Sequence, residues 1–188
     1  MLSGMGISGR IVMGSALILE EQELERMRSY LDVLATPTIL ICPDLAVSQA
    51  TELENYTNIV GIVTEKGGFN SHLAILARKR NLTAVLGVAG CMEFINNGER
   101  ILLDGMSGKL MMNPREETIE RYKKLQNKLE EEQNKIMTFA NRDTVTRDGY
   151  RLNLMANIDD VTDVEEVVKC GGEGIGLFRT TAHSFSYH

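Results

Sequence analysis

The chain has 188 residues, of which 43% are hydrophobic and 24% are charged, an ordinary composition for a soluble globular protein. The formal net charge of -6 and the pI near 5.2 exclude nucleic acid as an expected partner, because binding to phosphates requires a basic surface. No apolar run is long enough to span a bilayer and the first residues lack a secretory pattern, so we expect a cytoplasmic protein without membrane insertion.

Short strands and helices alternate through the first half of the chain. Strands are predicted over residues 9–19, 36–43, 58–65, 83–88, 100–105 and 108–113, and helices over 20–34 and 44–55. Asp44 is available to cap the second of these helices.

Three glycines near the start match the pattern G-x-G-x-x-G, which in some proteins binds dinucleotides. They are Gly4, Gly6 and Gly9. That function needs a preceding strand and a following helix, and the sequence predicts neither. We interpret the glycines as a flexible start to the first strand.

A long polar helix is predicted over residues 114–139, beginning at Pro114. Its apolar residues fall on a narrow stripe, which indicates a connector that packs lightly on its neighbours. Beyond it, residues 150–180 are predicted to form a strand, a helix and a strand, a repeat that is typical of parallel sheets. The fold class is therefore α/β.

The three cysteines, Cys42, Cys91 and Cys170, lie far apart and show no C-x-x-C spacing. This pattern predicts reduced, mostly structural thiols. It indicates neither a disulfide framework nor a metal site.

A histidine follows a glycine pair at a predicted helix start in EKGGFNSHLAILARKRN, residues 65–81. Gly67 and Gly68 allow a tight turn with positive φ, and Asn70 or Ser71 can cap the helix. His72 then lies in the first turn, where free backbone N–H groups favour a nearby anion. Two interpretations stay open, namely that the ring carries a phosphoryl group or that it only makes local hydrogen bonds.

Residues 67–78 resemble the G-G-x-T-S-H-x-A-I-x-A-R signature of the phosphohistidine domain in phosphoenolpyruvate-utilising enzymes, and in that family the chain looks most like enzyme I of the bacterial sugar phosphotransferase system. The matching residues are Gly67, Gly68, Ser71, His72, Ala74, Ile75, Ala77 and Arg78. Asn70 departs from the usual Thr but keeps a capping oxygen. Residues 156–180 resemble the start of the family's phosphoenolpyruvate-binding barrel.

The resemblance implies a set of roles. His72 would take a phosphoryl group from phosphoenolpyruvate and pass it to a phosphocarrier protein during sugar uptake, supported by Gly67, Gly68, Asn70 and Ser71. Arg179 would bind the phosphate of phosphoenolpyruvate, or else pair with a carboxylate as a structural strand-end residue. Arg78 could contact phosphate or have a packing role. The family uses Mg²⁺, for which we find no counterpart of the acidic ligands in this chain.

The resemblance also implies a domain organisation. Residues 1–112 would form the swivelling β/β/α phosphohistidine domain, with 20–35 in place of the helical domain that docks the phosphocarrier. A linker helix would cover 113–142, and 143–188 would be the first βα unit of an incomplete TIM-like barrel, since a closed barrel needs about 250 residues. We therefore expect that the chain does not phosphorylate itself.

Two alternative functions stay open. The chain could be a non-catalytic remnant or interaction module that keeps the fold. It could also be the phosphohistidine domain of a pyruvate phosphate dikinase or phosphoenolpyruvate synthase. The apolar strands of residues 143–188 would lack neighbours, which predicts either disorder after about residue 145 or self-association through that segment.

Overall fold

A computed structural model describes residues 1–7, 10–69, 71–80, 82–140, 142–158 and 161–179. The chain divides into two compact units, Met1–Gln126 and Asn127–His188. The division lies within a long helix, Glu116–Met137. The domain boundaries that the resemblance implies, at residues 112 and 142, stay a prediction.

The first unit contains a mixed sheet with helices, which confirms the α/β class. The strands are β1 (Leu2–Ser3), β2 (Met5–Gly6), β3 (Ile11–Ile18), β4 (Thr38–Cys42), β5 (Ile59–Thr64), β6 (Thr83–Leu86), β7 (Arg100–Asp104) and β8 (Lys109–Met112). The helices are α1 (Met27–Leu31), α2 (Val47–Glu52), α3 (His72–Lys79), α4 (Cys91–Phe94) and α5 (Glu116–Met137), with 3-10 turns at Leu24–Arg26 and Leu53–Asn55.

The sheet has the strand order β1-β8-β7-β3-β4-β5-β6-β2. Strands β3, β4, β5 and β6 run parallel to one another. Strand β7 runs antiparallel to β3, and β8 runs antiparallel to β7. The strands at the two ends of this order, β1 and β2, are consecutive in the chain and are separated only by Gly4. Residues 2–6 therefore join the two edges and close the sheet.

The prediction of a flexible glycine start is wrong for the part that the structure describes. The Gly4 N–H donates a hydrogen bond of 2.9 Å to the carbonyl oxygen of Gly108. A Cβ atom on Gly6 would lie 2.3 Å from the carbonyl oxygen of Gly105, so only a glycine lets these backbones approach so closely. Gly9 lies outside the described residues.

The core has two layers, one on each face of the parallel strands. Ile39 and Ile41 of β4 pack into one cluster, whereas Leu40 and Cys42 pack into the other, as the period of two along a strand requires. Burial on both faces explains the unbroken apolar run of β4. A Cβ atom on Gly61 would lie 2.8 Å from the side chain of Leu103, although β5 and β7 are not neighbours in the sheet. The sheet thus curls around the cluster that contains Ile39, Ile41 and Leu103.

The observed helices differ from the predicted ones mainly at their ends. Helix α2 begins at Val47 after Ala46, so the prediction that Asp44 caps it is wrong. The Asp44 carboxylate instead accepts a hydrogen bond of 2.8 Å from the backbone of Leu45. Helix α5 begins at Glu116, two residues after Pro114. No helix in the described ranges is both long and apolar enough to cross a bilayer.

The second unit contains a parallel pair of strands, β9 (Met155–Ile158) and β10 (Gly174–Phe178), which are joined through a 3-10 turn and α6 (Val164–Lys169). This is the predicted strand, helix and strand. Its large apolar side chains are mostly about half exposed, including Leu154, Ile175 and Leu177. The choice between disorder and self-association for this segment stays a prediction.

Candidate functional site

The candidate site is the loop from β5 to α3, at the carboxyl ends of the parallel strands. Ligands commonly bind at the carboxyl ends of parallel strands, in closed as well as in open sheets. Its first residues are fixed by hydrogen bonds around Lys66, whose N–H donates to the Pro43 carbonyl at 3.0 Å. The Lys66 carbonyl accepts from the Thr64 hydroxyl at 2.6 Å and from the Gly87 N–H at 3.3 Å. The loop is thus attached to the ends of β4 and β6.

The two glycines of the loop play different parts. Gly67 has a φ of +96°, a conformation that L side chains rarely adopt, as the sequence predicts. Gly68 lacks a positive φ, and a Cβ atom placed on it would meet nothing within 4 Å. The predicted positive φ is therefore confirmed at Gly67 and wrong at Gly68.

Ser71 caps helix α3, which settles the choice that the sequence left open between two residues. Its hydroxyl oxygen accepts a hydrogen bond of 3.2 Å from the backbone N–H of Ala74. Its own N–H donates to the Gly68 carbonyl at 2.9 Å, which closes a turn at the tip of the loop. The other candidate, Asn70, lies outside the described residues.

His72 is the first residue of α3, and its side chain is exposed. The opposite side of the helix is anchored, because Leu73, Ala74 and Ala77 are buried in the core cluster beneath it. The imidazole therefore projects into solvent from a rigid base. An anion on this ring would lie near the positive end of the helix dipole.

Arg78 packs against the loop. Its Nη2 atom donates a hydrogen bond of 2.7 Å to the carbonyl oxygen of Phe69, and its guanidinium carbon lies 4.2 Å from the centroid of the Phe69 ring. A packing role, one of the two roles left open for Arg78, is therefore present. The sequence did not single out Phe69, because the two residues are nine positions apart and no helical spacing connects them.

The cysteines lie in unlike surroundings. Burial is the largest cause that raises the pKa of the Cys42 and Cys91 thiols to about 12. Both side chains are fully buried, whereas Cys170 is exposed. Cys42 and Cys91 are thus structural thiols, as the sequence predicts. Cys170 is exposed and is not one of them.

Arg179, the other residue singled out from the sequence, belongs to the second unit. It directly follows β10, and its N–H donates a hydrogen bond of 2.9 Å to the Ile158 carbonyl at the end of β9. The residue thus lies at the carboxyl end of a parallel pair. Its role toward phosphoenolpyruvate stays a prediction.

No closed metal site is found within the described part of the chain. There, no three side chains of His, Cys, Asp or Glu converge closely enough to hold a metal ion. The Mg²⁺ that the resemblance implies stays a prediction.

Comparison with known proteins assigns both units to one family. Residues 34–108 match the family described as PEP-utilising enzyme, mobile domain, and residues 131–186 match PEP-utilising enzyme, PEP-binding domain. The chain belongs to the phosphoenolpyruvate-utilising enzymes. The candidate loop lies inside the match to the mobile domain, and Arg179 lies inside the match to the PEP-binding domain.

The curated relatives carry the name phosphoenolpyruvate-protein phosphotransferase. One from Priestia megaterium is 36% identical over 79% of this chain and 26% of its own length. One from Haemophilus influenzae is 33% identical over 76% of this chain and 25% of its own length. A solution structure of an Enzyme I protein covers 53% of this chain and 40% of its own, with 31% identity and a TM-score of 0.48. The chain thus spans about a quarter of the length of these curated relatives.

Proposed function

We propose that His72 accepts a phosphoryl group from phosphoenolpyruvate and passes it to a second protein. The observation that carries the proposal is an exposed imidazole on the first residue of a capped helix, inside the match to the mobile domain of this family. A neutral imidazole is nucleophilic near pH 7. Local hydrogen bonding alone would not require the ring to project into solvent.

The first proposed step is an in-line displacement. A ring nitrogen of His72 forms a bond to phosphorus while the bond from phosphorus to the enol oxygen of phosphoenolpyruvate breaks. The enolate that leaves takes up a proton and becomes pyruvate. In the second step, a nucleophile of the acceptor protein forms a bond to phosphorus and the bond to the His72 nitrogen breaks.

The residues of the loop would serve this chemistry by position. Phosphoryl transfer depends on placement and on neutralisation of charge more than on covalent machinery. Ser71 fixes the start of α3, and the unpaired N–H groups of the first turn face the side on which an anion on His72 would lie. Gly67 and Gly68 bring no side chain to the loop that precedes the ring. In the second unit, we propose that Arg179 binds the phosphate of phosphoenolpyruvate by paired hydrogen bonds.

The acceptor and the setting form a finer part of the proposal. The name of the relatives supports a protein acceptor, and we propose a phosphocarrier protein of sugar uptake in the cytoplasm. Because the chain spans about a quarter of its relatives' length, the donor domain is supplied separately in the test. The phosphorylation test is run with and without Mg²⁺, which the family resemblance implies.

The test is phosphorylation of the purified chain by phosphoenolpyruvate and Mg²⁺, with and without the isolated phosphoenolpyruvate-binding barrel of the Priestia megaterium relative. Intact mass and peptide mapping would locate the label. We expect one acid-labile phosphoryl group that appears with the barrel, disappears in His72→Ala and persists in His183→Ala, the matched control. Absence of label at His72 under every condition would support the non-catalytic alternative instead.

A further inference from the structure

The tip of the glycine loop has little packing of its own. The space beside Gly68 is empty to 4 Å, and the Phe69 side chain is 56% exposed. Glycine also gives the backbone more conformational freedom than any other residue. Without a further contact, the segment that leads into the cap of α3 would be loosely held at its outer end.

Arg78 supplies that contact from the far end of the same helix. It lies six residues after His72, which is about 9 Å along the axis. Side chains of a helix incline toward its N-terminus, so the guanidinium reaches back to the loop. There it bonds to the Phe69 carbonyl at 2.7 Å and covers the Phe69 ring at 4.2 Å. A planar guanidinium can make both contacts at once, and an ammonium cannot reproduce that geometry.

We propose that Arg78 and Phe69 form a clamp that positions His72 for phosphoryl transfer. Arg78 is thus a positioning residue that acts on the loop and does not touch the phosphoryl group. The inference rests on the function proposed for His72. It adds a partner, Phe69, that belongs to the variable position of the glycine-rich pattern.

The turn from Gly68 to Ser71, which contains Phe69, transmits the effect of the clamp. The Ser71 N–H is bonded to the Gly68 carbonyl, and the Ser71 hydroxyl is bonded to the first turn of α3. Holding the Phe69 carbonyl within this turn therefore limits the motion of the cap itself. The Ser71 amide proton becomes a direct reporter of the clamp, independent of any chemistry at His72.

The experiment measures two quantities in the full chain: the initial rate of His72 labelling with the added barrel, and the exchange rate of the Ser71 amide proton. The clamp variants are Arg78→Ala, Arg78→Lys, Phe69→Leu and Phe69→Tyr, together with the double variant. The matched control is Arg121→Ala, since Arg121 lies over the ring of Tyr122 at 5.4 Å, in the same unit but on α5. Pulsed thiol labelling of Cys42 checks that each variant is folded.

We expect Arg78→Ala to slow labelling about tenfold and to speed Ser71 exchange by a similar factor. Phe69→Leu removes the ring but keeps the backbone carbonyl, so it should change both rates about threefold. Phe69→Tyr keeps an aromatic ring, so both rates should equal those of the unaltered chain. The double variant should be no slower than Arg78→Ala, because the two residues act as one unit. Arg121→Ala should leave both rates unchanged.

Normal labelling and normal Ser71 exchange in Arg78→Ala would overturn the clamp. Independent, multiplying effects of Arg78→Ala and Phe69→Leu would overturn it as well. If the unaltered chain accepts no label, the proposed function fails, and Ser71 exchange still decides whether the clamp exists. If Arg78→Ala does not fold, Arg78→Lys and Phe69→Leu provide the same comparison.

Discussion

Gly67 and Gly68 offer a matched pair of substitutions in the loop before His72. Gly67→Ala places a Cβ on a backbone with a φ of +96°, whereas Gly68→Ala places one on a backbone without positive φ. Space is available in both cases, because the nearest atom to a Cβ on Gly67 is the Thr64 hydroxyl at 3.7 Å and nothing lies within 4 Å at Gly68. Any difference between the two variants therefore reports backbone conformation.

The magnitude follows from two opposing terms. A non-glycine residue in a sparsely populated region of φ and ψ costs about 1 to 3 kcal/mol. The alanine also restricts the unfolded chain, which stabilises the protein by about 0.4 to 1 kcal/mol. Gly67→Ala should thus lower the free energy of unfolding by about 1.5 kcal/mol. Gly68→Ala should leave it unchanged or raise it slightly.

The buried cysteines of the first unit provide the assay. Cys42 and Cys91 are fully buried, so a short pulse of a thiol reagent labels them only in molecules whose first unit has opened. Peptide mapping separates their signal from that of the exposed Cys170. With a urea slope of about 1.5 kcal/mol per M, Gly67→Ala should lower the midpoint by about 1 M.

Equal midpoints for the two variants would refute the reasoning, because the conformational penalty would then be absent. A large loss in Gly68→Ala would also refute it, since that side chain enters open space. The same variants can be labelled by phosphoenolpyruvate and barrel. If the loop places His72, Gly67→Ala should slow labelling more than Gly68→Ala does.

Three further predictions concern the first unit. Ser71→Ala should destabilise it by about 1 kcal/mol through loss of the cap, and Ser71→Asp, which keeps a capping oxygen, should restore most of that stability; an unchanged midpoint in Ser71→Ala would exclude the cap. The pKa of the Cys42 and Cys91 thiols is raised from 9.0 to about 12, so their contribution to the free energy of unfolding is complete below pH 9 and is lost as pH rises toward 12. Urea midpoints at successive pH values should show this fall, and a Cys42→Ala variant with the same fall would contradict the prediction. Gly108→Ala should lower the urea midpoint strongly, because the added Cβ would overlap the Gly4 carbonyl and open the closed sheet. A urea midpoint like that of the unaltered chain would show that closure of the sheet adds no stability.

The sequence predicted those features that depend on local pattern. The apolar segment of residues 36–43 indicated a strand, and Ser71 was one of two residues with the type and spacing of a helix cap. The long helix was recognisable from its polar, uninterrupted pattern, apart from two residues at each end. The glycine pair and the cap placed His72 at a helix start but left two interpretations open, and the role of this residue came from the family resemblance and stays a prediction.

Features that depend on distant residues were not predictable. The role of Gly4 and Gly6 is fixed by Gly105 and Gly108, about a hundred positions later, so the glycines looked like a flexible segment. Asp44 looked like a cap, but α2 begins after Ala46, whose N–H donates a hydrogen bond of 2.9 Å to the side chain of Gln49. The clamp between Phe69 and Arg78 was hidden for the same reason, since it needs a loop and a helix end to meet in space.

The closure of the sheet by residues 2–6 has a consequence for the order of folding. Those residues are synthesised before the other strands of the first unit, but β1 pairs with β8, the last strand of that unit to be synthesised. Pairs between distant residues form slowly, so we expect closure to be a late step. Gly108→Ala would then speed unfolding and leave the folding rate unchanged, whereas slower folding would place closure early. Until β8 emerges, the nascent unit would expose two free strand edges, and a chaperone that covers such edges would be needed only during that interval.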